Sequence, residues 1–489
     1  MMEYVLYVLL GIIAILILLL LIAVINTILM SDKSDGKPLD PLPSEVETKY
    51  AQDLLRLIKH KTIAGEAGKT KIEFKTMHQE LESLFPKVHE KCERVIFAGG
   101  SLLYRWPGKT AGRPLVLMAH QDVVPATASE WSVDPFSGTI KDGKILGRGS
   151  FDTKATLYAF LKAAEELLEE GFTPDVDVYF SSSSDEEISG GGAEEAVEYL
   201  YQRNIEPLIV LDEGGAIVSG ALPSLKRHLA LIGVIEKGYL NLRFSAKSTG
   251  GHSSTPPKNT PIARLANFVS RVEKRFPLKT KMISEVKDMF QVSAKSMSFP
   301  YRLLFGNMWL FKGLICWLLP RINPYGRALF STTIAFTMMK GSDAANVIPS
   351  EAHILCNLRT HPIQDINATV QVLAKIARKY DIDCEIIEGR EATPIVNTKG
   401  VAYNYLLNQI NKNFPDVLVS PYIIFGGTDA RFFTKITDAA LRFSPVRVTN
   451  DDLKKMHGID ECIEVRSLAE AVVFYKSFMK DFQTIEEAN

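Results

Sequence analysis

The chain has 489 residues, 46% of them hydrophobic and 23% charged, which is long enough for two folded units of ordinary composition. Its 56 Lys and Arg offset 57 Asp and Glu, so nothing in the charge balance supports a nucleic-acid partner or any strongly charged one. Five cysteines, Cys92, Cys316, Cys356, Cys384 and Cys462, are scattered without a C-x-x-C spacing, and neither a disulfide framework nor a structural zinc site is indicated.

Tyr4 to Met30 contains no charged residue. As a helix it reaches about 40 Å, enough to cross a bilayer with some tilt. Residues 4–30 are therefore expected to be a transmembrane anchor. The rival reading is a cleaved signal peptide, against which stand the length of the apolar run, the lack of a preceding basic residue and the lack of an A-x-A site. Glu3 before the segment, and Asp32, Lys33, Asp35 and Lys37 after it, leave its orientation open. Residues 31–46, with three prolines, read as an extended tether.

Apolar residues at helical spacing predict a helix over Glu45 to His60 and another over Phe74 to Phe85. Between them, Ala67-Gly-Lys-Thr70 has the ending of a phosphate loop, but Ile63 stands where its first glycine belongs and no apolar strand precedes it. From Val95 onward strands alternate with helices. Leu102–Trp106, Leu115–Ala119, Val176–Phe180 and Leu208–Leu211 read as strands, and Thr156–Leu168 reads as a helix. This pattern predicts an α/β domain whose mainly parallel sheet is covered on both faces, with its active site at the carboxyl ends of the strands.

Those strand ends carry the chemistry. His120 and Asp122 follow Leu115–Ala119. Side chains two apart in extended chain point the same way, so Asp122 can hold one imidazole nitrogen while the other binds a metal; a surface loop is the bland alternative. Asp152 lies in a glycine-containing turn before the Thr156 helix, where it is either a helix cap or a ligand. Asp185-Glu186-Glu187 follows the next strand. It reads as a solvated loop, or as a ligand next to a carboxylate that reaches an attacking water. Asp212-Glu213-Gly214-Gly215 ends another strand, and His457 lies in the polar loop Met456–Asp460. His, Asp, Glu, Asp and His at such places suit a paired-metal hydrolase, with zinc favoured and manganese or cobalt as substitutes.

In this order the motifs resemble those of the di-zinc aminoacylase and carboxypeptidase S family of metallopeptidases, over roughly Glu45 to Phe482. The resemblance implies a zinc-peptidase catalytic domain (47–235 and 390–489) interrupted by an α+β sandwich, a lid and dimerisation domain (236–389). It implies two zinc ions per chain, one on His120, Asp152 and Asp212, the other on Asp152, Glu187 and His457. Asp152 is then the bridge, Asp122 orients His120, and Glu186 is the general base. Ala155 stands where many relatives have glycine, a departure that bears on the turn. The same resemblance implies that His252 approaches the substrate carbonyl, often in the partner subunit's site, that Asn346 and Arg359 bind substrate, and that the loop carrying Gly426 and Gly427 lies against it. Arg359 suits a carboxylate because its fork bonds both oxygens, and the glycines permit close backbone approach. The residues alone also allow His252 to cap a turn and Arg359 to form a structural ion pair.

Phe299 to Phe330 is rich in Trp, Phe and Leu, but its longest uncharged runs are nine and eight residues, too short to span a membrane. It is expected to lie on a bilayer, to line a path for an acyl chain, or to form dimer core. The expected activity is that of a zinc-dependent amidohydrolase or carboxypeptidase. It would release an amino acid from N-acyl amino acids, long-chain ones included, or from peptide C-termini. The resemblance favours an extracytoplasmic catalytic domain on a single-pass anchor. A catalytically silent membrane scaffold or sensor of the same fold is the alternative, and a serine hydrolase lacks its G-x-S-x-G elbow.

Overall fold

The computed structural model describes residues 1–30, 36–65 and 69–482. The first part of the expected tether (31–35), and Ala67 and Gly68 of the rejected phosphate loop, lie outside the described residues. The N-terminal helix Met2–Leu29 is long and apolar enough to cross a membrane, and only Ala23 and Thr27 on it are buried.

The larger domain is built on a ten-stranded sheet. At its centre Val178–Ser182, Leu115–Met118, Ile209–Asp212 and Ala440–Arg442 run parallel. Towards the edges the pairing turns antiparallel, as between Leu102–Trp106 and Val178–Ser182. Leu115–Met118 is continuously apolar because each of its faces meets a different layer. Leu115 and Leu117 join Phe160 and Tyr475, from helices Lys154–Glu169 and Val465–Asp481, in one core. Val116 and Met118 join Val197 and Phe433, from helices Gly192–Tyr201 and Ala430–Phe433, in the other. Phe160 stacks on Phe180 with ring centroids 5.5 Å apart, which fixes the first helix over the strand that leads to Glu186.

The second domain is a two-layer α+β unit. Its antiparallel sheet orders Thr333–Lys340, Glu351–Thr360, Gly238–Lys247 and Asp383–Arg390. Along Glu351–Thr360 burial alternates strictly, as a sheet covered on one face requires. Helices Pro261–Lys274 and Ile366–Ala377 cover that face, with Phe244 and Phe268 4.6 Å apart at the contact.

One stretch departs from the expected lid. Residues 282–330 return to the larger domain, where Met289, Phe290, Phe305, Leu329 and Phe330 join its core. The small sheet's apolar face is already filled by its own two helices, so these further apolar helices bury themselves elsewhere. Four connecting segments therefore pass between the domains, and they are stitched together. Glu236 N–H donates to Thr393 Oγ1 at 2.9 Å, and Thr393 N–H returns to Glu236 O at 3.1 Å. Lys237 Nζ donates to the Ala328 and Ser331 carbonyls at 3.2 and 2.9 Å, and Thr280 bridges Ser331.

Candidate metal centre

Where Leu115–Met118 ends, the buried His120 turns its Nδ1 to the Asp122 backbone oxygen at 2.9 Å. The Asp122 carboxylate lies slightly farther off, at 3.4 Å. That carboxylate accepts the N–H groups of Glu186 and Glu187 at 3.2 and 3.0 Å. Asp122 thus does more than orient His120: it holds the turn after Val178–Ser182 against the turn after Leu115–Met118.

With Nδ1–H donated to the Asp122 carbonyl, the His120 Nε2 lone pair faces Asp152 Oδ1 at 2.9 Å. Two acceptors at that distance require a cation or a proton between them. The other Asp152 oxygen repeats the arrangement, with His457 Nε2 at 2.9 Å and Glu187 Oε2 3.0 Å from the same nitrogen. Glu187 Oε1 is buried without a hydrogen-bond partner among the described residues. Two groups of potential ligands therefore share Asp152. One is His120, Asp152 and Glu213; the other is Asp152, Glu187 and His457, and within each the ligand atoms lie within 4.8 Å of one another. This donor set of imidazole and carboxylate, with one carboxylate facing both groups, fits a pair of divalent ions.

The first group contains Glu213 where Asp212 was expected. Both Asp212 oxygens are taken by backbone: one accepts the Glu213 N–H at 2.9 Å, the other the Ala430 N–H at 2.7 Å. The reason is strand alternation. Asp212 shares the face of Val210, which lies against the Ala430–Phe433 helix, so Glu213 is the one free to turn toward His120. Sequence reasoning had both carboxylates in view and lacked only the strand's register.

A second residue it missed is Glu461. Buried beside Arg148 at 2.6 Å, it accepts the Phe151 and Asp152 N–H groups at 2.8 and 3.0 Å, and Arg148 donates to Gly458 O at 3.0 Å. The pair locks the Asp152 turn to the His457 loop, in which His457 itself has left-handed backbone, φ 58°.

Burial works against ionisation of Asp152, yet the two imidazoles hold it well below the usual carboxylate range. The contact with Asp152, then that with Glu187, lifts His457 to about 10. Burial pushes the Glu186 carboxyl up to about 9, helped by the neighbouring charges of Asp429, Asp152 and Glu187. Arg431 stands 3.8 Å from Glu186 Oε1 and 3.7 Å from Asp429 Oδ1. Burial likewise raises Asp429, to about 7, while it accepts a hydrogen bond from Ser183.

Gly426 is open, and a Cβ at Gly427 would come within 3.0 Å of the Arg390 guanidinium and 3.8 Å of that of Arg431. Arg359 is half-buried over the Tyr239 ring, 4.9 Å from its centroid. Burial and the nearby charges of Arg431 and Arg359 depress the Arg390 guanidinium. His252 and Asn346 do not join either ligand group. They sit together on an exposed edge, where Ser253 N–H donates to Asn346 O at 3.0 Å and His252 Nδ1 lies 2.8 Å from Ser254 Oγ.

The family model described as peptidase family M20/M25/M40 matches residues 116–481. A probable carboxypeptidase S-like 2 of Dictyostelium discoideum is 34% identical over 91% of this chain and 87% of its own length. The N-fatty-acyl-amino acid synthase/hydrolase PM20D1 of Homo sapiens is 36% identical over 77% of this chain and 75% of its own. Among solved structures, an M20 family metallo-carboxypeptidase from Sulfolobus solfataricus superposes with a TM-score of 0.63 at 19% identity, covering 89% of this chain and all of that one.

Proposed function

Because the chain belongs to peptidase family M20/M25/M40, a family of hydrolases, we propose that it is a membrane-anchored, di-zinc amidohydrolase that frees an amino acid from an N-acyl amino acid, long-chain acyl groups included. The observation that carries this reading is the sharing of Asp152, one oxygen toward His120 and the other toward His457, beside Glu186. His120, Asp152 and Glu213 would hold one ion, and Asp152, Glu187 and His457 the other. Two zinc ions bound there would supply Lewis acidity toward the scissile carbonyl and toward an attacking water. The chain's own residues do the rest. Asp122 and Glu461 keep the ligand turns in register, and Glu186, ionised once cations at the ligand groups offset the neighbouring carboxylates that raise it, takes a proton from the attacking water and passes it to the leaving nitrogen. Arg390 and Arg431, which flank Gly427, and Arg359, whose charge acts on Arg390, suit a substrate with a free carboxylate, which peptides and N-acyl amino acids both present. The human relative named for N-fatty-acyl amino acids supports the acyl reading, and the Dictyostelium relative named for a carboxypeptidase supports the peptide reading.

The deciding experiment loads the full chain with zinc and supplies dipeptides and short- and long-chain N-acyl amino acids. About two ions per chain and release of amino acid from the long-chain substrates are expected. Cleavage of dipeptides alone would remove the acyl reading, and a chain that binds no metal after careful reconstitution would be a scaffold. Ligand assignment has its own test by metal analysis. Glu213→Gln is expected to lose one ion, while Asp212→Asn keeps both and loosens the turn to Ala430; the reverse result would return the role to Asp212.

A further inference from the structure

The end of the N-terminal helix is clasped by a single buried side chain. Asn307, between helices Phe299–Gly306 and Met308–Ile322, donates from Nδ2 to the Ala23 carbonyl at 3.1 Å and to Thr27 Oγ1 at 3.0 Å. Arg302 adds a bond to the Met30 carbonyl at 3.2 Å. These contacts fix depth. From Tyr7 to Thr27 a helix rises about 30 Å, one hydrocarbon thickness, so if the tyrosine end lies at one membrane surface, Asn307 lies at the other.

The two helices it joins meet at 100°. They expose Phe299, Trp309, Leu314, Trp317 and Ile322, at 47, 54, 48, 57 and 65%. Arg302, Lys312 and Arg321 are interspersed, and the Arg321 guanidinium lies 5.1 Å from the Trp317 ring, the arrangement of long cations that keep their charge at the surface while their stems cover apolar area. Tryptophan, leucine and cations on one short bent pair are the composition of an element that lies in the interfacial layer.

Behind it is a cavity of about 570 Å3, lined by Leu222, Leu229, Met289, Leu329, Tyr422 and Phe425. Tyr325, 69% exposed on the short helix that follows, is on its wall too. So are Leu453 and Lys454, just ahead of His457, while Phe425 is just ahead of Gly426. The cavity is thus bounded by the helix that follows the bent pair and by the segments that lead into the loops of His457 and Gly426.

We infer that the helices spanning Phe299–Phe330 are seated in the bilayer surface, clasped to the spanning helix by Asn307, and that the cavity behind them receives an acyl chain directly from the membrane. The second clause rests on the proposed amidohydrolase activity; the first does not. The occupant assigned to the exposed face is lipid because Asn307 joins the bent pair to a helix long and apolar enough to cross a membrane, and this seating rests on the proposed anchor.

The chain's four tryptophans make the test direct. Trp106 and Trp131 are buried in the catalytic domain, so the two exposed ones, Trp309 and Trp317, report the bent helices. Full-length protein in phosphatidylcholine vesicles with brominated acyl chains is expected to lose that part of its tryptophan emission which Trp309→Phe/Trp317→Phe removes. Emission equal in brominated and plain lipid would overturn the seating, whether water or a second copy of the chain covers the face, and cross-linking through Trp317→Cys would identify the copy. A kinetic arm tests delivery. Leu314→Glu/Trp317→Glu is expected to raise KM for a bilayer-borne long-chain N-acyl amino acid on the order of tenfold and to leave N-acetyl amino acid turnover unchanged. Equal losses on both substrates, with quenching intact in the unmodified chain, would sink delivery alone. Quenching without any turnover would sink the proposed activity and leave the seating standing.

Discussion

Glu186→Gln is expected to keep both ions and to lower kcat by about 10²- to 10⁴-fold, the contribution of a positioned general base. The substitution preserves shape and leaves the Glu186 N–H bond to Asp122 in place. It removes only the carboxylate that faces Arg431 at 3.8 Å. Because neither ligand group includes Glu186, metal analysis and kcat should separate cleanly. Turnover retained within tenfold would assign the proton transfer to another group, with Asp429 the next candidate because it stands 3.7 Å from the same arginine.

Asp152→Asn should do more damage. Each of its oxygens faces an imidazole nitrogen at 2.9 Å, and an amide keeps one acceptor oxygen and turns an NH2 group toward the other imidazole. Changing the shells around ligands already costs 10- to 100-fold in metal affinity, so loss of the shared ligand is expected to weaken zinc binding by at least about 10²-fold and to abolish measurable hydrolysis. Equilibrium dialysis of the variant against zinc checks the first part. Two ions retained at unchanged affinity would mean that Asp152 is a helix cap and that the ions lie elsewhere. The fold should survive the change, since Glu461 holds the Asp152 backbone through N–H groups that the side chain does not provide.

How much of this could be read from the chain alone follows from the range of the forces involved. The central strands were legible because burial on two faces demands a continuous apolar run, and Leu115 to Ala119 has one. His120, Asp152, Glu187 and His457 were legible as groups at strand ends and loops, and the structure brings them together. The choice between Asp212 and Glu213 depended on register, set by the Ala430 N–H more than 200 residues downstream. No local signal marks Glu461, since its partners Arg148, Phe151 and Asp152 are equally remote in sequence. The helix Ser284–Ala294 was missed, and with it the return of residues 282–330 to the catalytic core. Apolar content announces that a segment will be buried, but not which of two cores has room for it.

The four joined connections between the domains set the mechanics of the molecule. A domain inserted through two chain crossings swings on a loose tether, but here Glu236, Lys237, Thr280, Ser331 and Thr393 tie all four into one narrow waist. Glu236 also accepts the Thr428 hydroxyl and the buried Arg442 guanidinium, each at 2.8 Å, so the waist reaches the loop that presents Asp429 and Arg431. The bent helices clasped to the N-terminal segment lie on the catalytic side of it. The small sheet is therefore expected to turn about a single shared pivot, a motion that leaves the ligand groups and the bent helices still relative to each other.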